Sequence, residues 1–294
     1  MADDRLTVQT ADGRRLEALV AGPHGGLPLV FHHGTPGGLV PLQPLVAAAS
    51  ARGMRTVMYS RPGYGGSTAQ PGRLVADAAG DVADILGALG ATTFMTAGWS
   101  GGGPHALACA ALLPGRCLAA ACVAGVAPYL AEDLDWAAGM AAENVEEFAA
   151  AKRGEAALTG YLQAQADGLA NVAAAQVAES LGGLVSAADK AVLAADFAEF
   201  LAASFRAALI AGVAGWRDDD LAFVRGWGFA LDAVRAVAVW QGDQDRMVPY
   251  SHGTWLSLHI PGARAHLIPG AGHLIFAAAG WDDILADLSA LAGV

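Results

Sequence analysis

Cysteine, charge and unbroken apolar length are all scarce in this chain. Its three cysteines, Cys109, Cys117 and Cys122 among 294 residues, are odd in number and fit no metal-ligand spacing. All three have apolar neighbours, which reads as small buried hydrophobes rather than a disulfide framework or a redox centre. Only 15% of the residues are charged, and 17 Lys and Arg against 28 Asp and Glu give a net charge of −11. A nucleic-acid partner, which needs a basic face, is therefore not expected. With 54% hydrophobic residues the chain is also the reverse of a disordered one. The most apolar stretch, 101–131, is broken by His105, Arg116, Pro104, Pro114 and Pro128. A spanning helix needs about 20 apolar residues free of charge, so this stretch reads as a buried helix, a turn and a buried strand. Residues Met1 to Arg5 are acidic and lack the apolar centre of a secretion signal. A cytoplasmic, reduced protein with no membrane or nucleic-acid partner is expected.

At roughly 150 residues per domain the length allows about two. Leu6–Thr10 and Arg15–Val20 alternate apolar and polar residues around Asp12-Gly13, a hairpin pattern. Short strands are expected at Leu27–His32, Thr56–Tyr59, Thr93–Ala97, Cys117–Gly125, Val237–Trp240 and Ala265–Ile268. Helical spacing occupies Pro41–Ala51, Leu74–Leu89, Pro104–Leu113, Tyr250–His259 and Leu274–Leu291. Strand and helix in alternation imply an α/β fold with a mainly parallel, doubly wound sheet. From about Pro128 to Phe229 no strand pattern occurs. Ser186 and Asp189 there resemble a capping box, and Val192, Leu193, Phe197, Phe200, Leu201, Phe205 and Leu209 follow at helical spacing. That stripe reads as core, with some aromatics available to line a cavity. Asp218-Asp219-Asp220 reads as a solvated helix end rather than a metal site. The division is thus 1–127 for the first part of an α/β core, 128–229 for a helical insertion and 230–294 for the rest.

The sharpest chemical signal is Gly98-Trp99-Ser100-Gly101-Gly102, a G-x-S-x-G sequence between a strand and a helix. Such a turn lifts the serine hydroxyl clear of the backbone. The helix start behind it offers free N–H groups and a positive dipole end to a developing oxyanion. Serine at its ordinary pKa needs a base. Of eight histidines, His273 follows the last strand and so falls on the same sheet edge as Ser100. His32 and His33 also end a strand, and His105 lies on the helix after Ser100. For the histidines other than His273, packing or hydrogen bonding is the expected role. A base of this kind needs a carboxylate to orient it. The segment after Val237–Trp240 supplies two, Asp243 and Asp245.

These pieces resemble the α/β-hydrolase superfamily over nearly the whole chain. The matching residues are His33-Gly34-Thr35-Pro36-Gly37, Arg61-Pro62-Gly63-Tyr64-Gly65-Gly66-Ser67, the G-x-S-x-G sequence, Gly242 to Pro249, and Gly272-His273. The resemblance implies the α/β-hydrolase fold with an all-helical cap after the sixth strand, and a catalytic triad of Ser100, Asp245 and His273. Asp245 is favoured over Asp243 because Gly242, Asp245, Val248 and Pro249 fit the family's G-x-x-D-x-x-V-P frame. The oxyanion donors it implies are the backbone N–H groups of Thr35 and Gly101. Ser100 departs from the relatives that open epoxides or remove halides, which carry Asp there. Thr35 and the elbow sequence depart from prolyl aminopeptidases.

The expected activity is a cofactor-free, metal-free serine hydrolase of carboxylesterase type acting on a small-molecule acyl substrate. Acyl transfer, lactone opening, carbon–carbon bond hydrolysis and peptide cleavage use the same triad. A ligand receptor of the same fold is the non-enzymatic alternative. Trp99, beside the nucleophile, is a candidate pocket wall or simply a packed core residue. No Walker lysine follows the glycine-rich turns and no G-x-G-x-x-G follows a strand, so nothing supports nucleotide binding.

Overall fold

Six short apolar runs and an N-terminal hairpin assemble into one eight-stranded sheet in the computed structural model, which describes residues 4–193 and 195–294. The expectation for Met1–Asp3 lies outside the described residues. The strands are β1 Asp4–Gln9, β2 Arg15–Ala21, β3 Leu27–His32, β4 Met54–Tyr59, β5 Phe94–Trp99, β6 Cys117–Val123, β7 Val237–Gly242 and β8 Arg264–Ile268. Their order is β1-β2-β4-β3-β5-β6-β7-β8. Only the β1–β2 and β2–β4 pairings are antiparallel, and every pair from β4 to β8 is parallel. The helices are α1 Gln43–Ala51, α2 Ala78–Ala88, α3 Gly103–Leu112, α4 Ala142–Arg153, α5 Glu155–Ala170, α6 Val177–Ser180, α7 Ala187–Val192, α8 Ala195–Leu209, α9 Ala214–Phe223, α10 Tyr250–His259 and α11 Phe276–Ala292, the last kinked at Gly280.

The central strands are apolar throughout because both sheet faces are covered. Side chains alternate between them with period two. Leu29, Phe31, Met95, Ala97, Ala119, Ala121 and Trp240 join Leu45 of α1 and Ile284 and Leu288 of α11 in one core. Val30, Val57 and Phe94 face the other way, onto Val82, Ile85 and Leu86 of α2, while Ala120, Cys122, Val237 and Val239 meet Leu107 of α3 and Leu256 of α10. Each such fully buried Leu, Ile or Val contributes about 1.5–3 kcal/mol relative to an exposed one. Cys109 and Cys122 are buried within these layers, and all three cysteines are unpaired, as their apolar surroundings implied.

The chain between β6 and β7 holds α4 to α9 and no strand among the described residues. It has a small core of its own, including Leu158, Leu162, Leu209 and Trp216. Leu181, Val185, Leu201 and Phe205 continue the core of the α1 and α11 sheet face. No single helix among the described residues is long and apolar enough to cross a membrane.

Two local readings need correction. The stripe expected to form one helix from Ser186 to Leu209 is broken after Val192. Leu193 has the non-helical ψ of 72°, which ends α7 there. The acidic run at 218–220 is not a solvated helix end. All three aspartates lie within α9 and are buried, at 2%, 0% and 1% exposure. Arginines from distant segments, Arg61 and Arg73, meet Asp219 there, and Asp218 pairs with its neighbour Arg217.

Candidate active site

The turn from β5 into α3 sets the site. Ser100 sits in it with φ of +57°, a left-handed conformation that L-residues rarely hold and that marks a strained position. The crossing is too tight for a side chain on either flank. A Cβ on Gly98 would lie 2.0 Å from the carbonyl oxygen of Gly102, and one on Gly102 would lie 2.1 Å from that of His32. Glycine at both positions is therefore a steric requirement of the turn. Ser100 and Gly101 line a cavity of about 300 Å³ together with Gly34, Thr35, Trp99 and His273. The six residues expected to act together thus share this wall, except Asp245, which stands behind His273.

His273 follows β8 and is 1% exposed. Its Nδ1 is 2.8 Å from Oδ2 of Asp245. Asp245 is itself held from several sides. Its Oδ1 accepts the main-chain N–H groups of Met247 and Val248, each at 2.9 Å, and its Oδ2 also accepts Gln241 Nε2 at 3.0 Å. A carboxylate so placed is an acceptor only, so Nδ1 of His273 donates and Nε2 carries the lone pair. Burial by itself would lower the pKa of His273, but the charge and hydrogen bond of Asp245, with a contribution from Asp189, raise it above the ordinary imidazole value. Asp243, the competing carboxylate, is exposed and accepts the N–H of Gly270 at 2.8 Å.

Asp189 was legible only as a helix cap. The cap is present: its N–H donates to Ser186 Oγ and its Oδ2 accepts the N–H of Ser186, both at 3.1 Å. Its Oδ1, however, accepts the N–H of Leu274 at 2.8 Å, and a Cβ on Gly272 would lie 2.3 Å from that oxygen. The insertion thus grips the loop on both sides of His273. Asp189→Asn keeps an acceptor but removes a negative charge, so the alkaline-going rise of kcat/KM should move to lower pH. Asp189→Ala loses the grip, and misplacing His273, the expected base, can cost up to about 100-fold in kcat. A pH–rate profile of both variants that overlays the wild-type curve would deny Asp189 any influence on His273.

The indole of Trp99 is both packed and in contact with the cavity. It lines the cavity at 8% exposure. Its Nε1 also donates to the carbonyl of His273 at 3.2 Å, and its ring packs against Phe197 and Phe276. Phe200, Leu201 and Phe205 of the stripe likewise both pack and line the cavity.

The loop carrying Thr35 is held by residues whose part was not foreseen. Arg61 is 1% exposed and donates to the carbonyls of His33 at 2.6 Å and Gly34 at 3.1 Å. Its partner is Asp219 of α9, whose Oδ2 accepts Arg61 Nη2 at 2.6 Å, Thr35 Oγ1 at 2.7 Å and Tyr64 OH at 2.8 Å. Arg73 reaches the other oxygen at 2.7 Å. Burial opposes the charge on Asp219, but Arg61 and Arg73 hold its carboxyl well below the usual range. The same burial, with Arg61 nearby, keeps His32, His33 and His105 neutral. A local hint did exist, since Trp216, Leu221 and Phe223 flank the acids in a pattern that buries a helix. Asp219→Ala would strand two buried guanidinium groups, at a cost of about 3–5 kcal/mol. For 294 residues, with an unfolding entropy of about 2.1 cal/mol/K per residue, that is a fall in melting temperature of roughly 5–8 °C. An unchanged melting curve would mean that the ion cluster contributes no net stability.

The same arrangement of strands, turn and loops is found in known proteins. Residues 28–278 match the family model described as the alpha/beta hydrolase fold. The chain belongs to the alpha/beta hydrolase family. A non-heme chloroperoxidase of Streptomyces lividans is 34% identical over 148 residues, 49% of this chain and 53% of that protein. The chain thus spans about half the length of the curated relative that it matches. Among solved structures, the enol-lactonase of Burkholderia xenovorans LB400 superposes with a TM-score of 0.71 at 20% identity, covering 97% of this chain and 100% of that one. An esterase from Rhodococcus sp. ECU1013 gives 0.64 at 22% identity, with 98% and 99% covered. At these identities the two structures support the fold. In this alpha/beta hydrolase the expected site residues are carried by the ends of β3, β5, β7 and β8, the carboxyl edge where open parallel sheets present their ligands.

Proposed function

We propose that this alpha/beta hydrolase is a serine hydrolase that cleaves esters of small acyl compounds. The observation that carries the reading is that Ser100, at φ +57°, lines the same cavity as His273, whose Nδ1 is bound to Asp245. Ser100 Oγ gives its proton to Nε2 of His273 and adds to the ester carbonyl carbon. The negative charge passes to the carbonyl oxygen, to which the N–H groups of Thr35 and Gly101 donate hydrogen bonds. Each such donor is worth roughly 3 kcal/mol of barrier. The tetrahedral species collapses, the alkoxide leaves with the proton from His273, and an acyl-serine remains. Water then loses a proton to His273 and attacks the acyl carbon, releasing the carboxylic acid and restoring Ser100.

Asp245 holds His273 in the tautomer this sequence requires and stabilises its cationic form. The apolar wall of Trp99, Phe200, Leu201 and Phe205 suits an acyl chain. Residues 128–229 act as a cap that covers the site and selects substrate, tied to the oxyanion loop through Asp219 and to the base loop through Asp189. The test is labelling with a fluorophosphonate probe, mapped by peptide mass, alongside hydrolysis of p-nitrophenyl butyrate. A single adduct on Ser100 together with ester turnover is expected. An unlabelled, inactive but folded protein would overturn the reading.

A further inference from the structure

The three adjacent aspartates of α9 meet very different surroundings. Asp218 is paired with Arg217 at 2.8 Å. Asp219 is surrounded by donors, as described above. Asp220 is 1% exposed, and its Oδ2 has no N–H or O–H donor among the described residues. It lines the cavity that holds Ser100, and so does Glu147 of α4. The two carboxyl groups line that one cavity from packed helices, and while both are ionised neither has a hydrogen to donate to the other. Burial, reinforced by the neighbouring Glu147 charge, pushes the Asp220 carboxyl well above the usual range. A buried carboxyl oxygen such as Asp220 Oδ2 is costly unless a donor completes it.

We propose that the Glu147–Asp220 pair is a subsite for a protonated amine on the substrate, a reading that rests on the ester hydrolysis proposed above. An alkylammonium group brings three N–H donors and one positive charge. On binding it is met by the two carboxylates, and a proton held by either carboxyl group passes to solvent. The surroundings fit that ligand. Glu143 adds a third carboxylate to the lining, and no lysine or arginine occurs among the described lining residues. Phe148, Tyr161 and Trp216 also line the cavity, and aromatic faces attract ammonium groups. Trp216 fixes one partner, donating from Nε1 to Glu147 Oε1 at 2.8 Å.

The subsite also stands on the right wall. Asp219, one residue earlier, bonds the Thr35 hydroxyl. Phe223, one turn later, packs against Gly101, where an added Cβ would come within 3.1 Å of its ring. The helix that carries Asp220 therefore abuts both oxyanion donors, and one small molecule can present its carbonyl to them and its amine to the pair.

The experiment compares matched ethyl esters at constant ionic strength: 6-aminohexanoate, heptanoate and monoethyl pimelate, which differ only in a terminal ammonium, methyl or carboxylate. The ammonium ester is expected to have the highest kcat/KM, by at least about tenfold over the neutral one, with the anionic ester lowest. In Glu147→Gln/Asp220→Asn that ammonium-to-neutral ratio should collapse towards one. Should the double variant fail to fold, butylammonium chloride and 1-butanol are compared as inhibitors of p-nitrophenyl butyrate hydrolysis by the wild type. Competition by the ammonium alone is expected. Equal or poorer use of the ammonium ester, with no competition by butylammonium, would overturn the subsite while leaving ester hydrolysis standing. If no ester is cleaved and Ser100 is not labelled, the hydrolase reading falls. Calorimetric titration with butylammonium then decides the subsite without turnover, binding supporting it and no heat of binding removing it.

Discussion

Ser100→Ala should leave a folded protein with kcat for short esters reduced by about a million-fold, and with no fluorophosphonate adduct. That magnitude is typical when the nucleophile of a serine hydrolase is removed. The residue loses one oxygen and keeps its Cβ, so packing around it barely changes. The variant must still hold φ near +57°, a strain of order 1–3 kcal/mol that serine already bears. Stability should therefore stay close to wild type, and the loss is chemical. The decisive measurement is a pre-steady-state burst. Wild type should release one equivalent of p-nitrophenol per site before steady turnover if deacylation is slow, and the alanine variant should release none. A variant that still labels and turns over would move the nucleophile elsewhere.

Most of the frame around that serine was legible because its signals are local. Continuous apolar runs such as Leu27–His32 mark strands covered on both faces, and β3 has those bounds. The glycines beside Ser100 are demanded by contacts within the turn or with the adjacent strand. Asp189 shows where such reading stops. Its cap to Ser186 spans three residues and could be seen, while its bond to Leu274 spans 85. Asp219 is the stronger case. Three acids in succession look solvated because charge prefers water, and only partners 158 residues away at Arg61 reverse that preference. Periodicity carries no information about such pairings. The same holds for Asp220 and Glu147, whose meeting depends on how α9 packs against α4.

Asp245→Asn should lower kcat by about 10⁴-fold with little change in KM, whereas Asp243→Asn should change either constant only slightly. The residues offered both acids, the family frame favoured Asp245, and Asp245 is the one hydrogen-bonded to His273. An amide at 245 can still satisfy much of the local hydrogen bonding, since Met247 and Val248 donate to one oxygen. What it cannot do is accept at Oδ2 from both Gln241 and His273 and supply negative charge. If its NH₂ group faces His273, Nδ1 becomes the acceptor and Nε2 carries the proton, the wrong tautomer for taking one from Ser100; a loss near 10⁴ follows where this switch has been made. The pH dependence follows with its sign. The base works only when neutral, so wild-type kcat/KM should rise with pH through the elevated His273 pKa. Removing the Asp245 charge removes the principal cause of that elevation, and the residual activity of Asp245→Asn should rise at lower pH. For stability the direction is opposite. The Asp245–His273⁺ attraction is present in full below the unfolded imidazole pKa and is lost as pH rises through the folded one. Asp243→Asn removes an acceptor for the Gly270 N–H at an exposed turn, which leaves His273 charged and oriented as before. Equal losses in the two variants, or a larger loss at 243, would transfer the orienting role to Asp243.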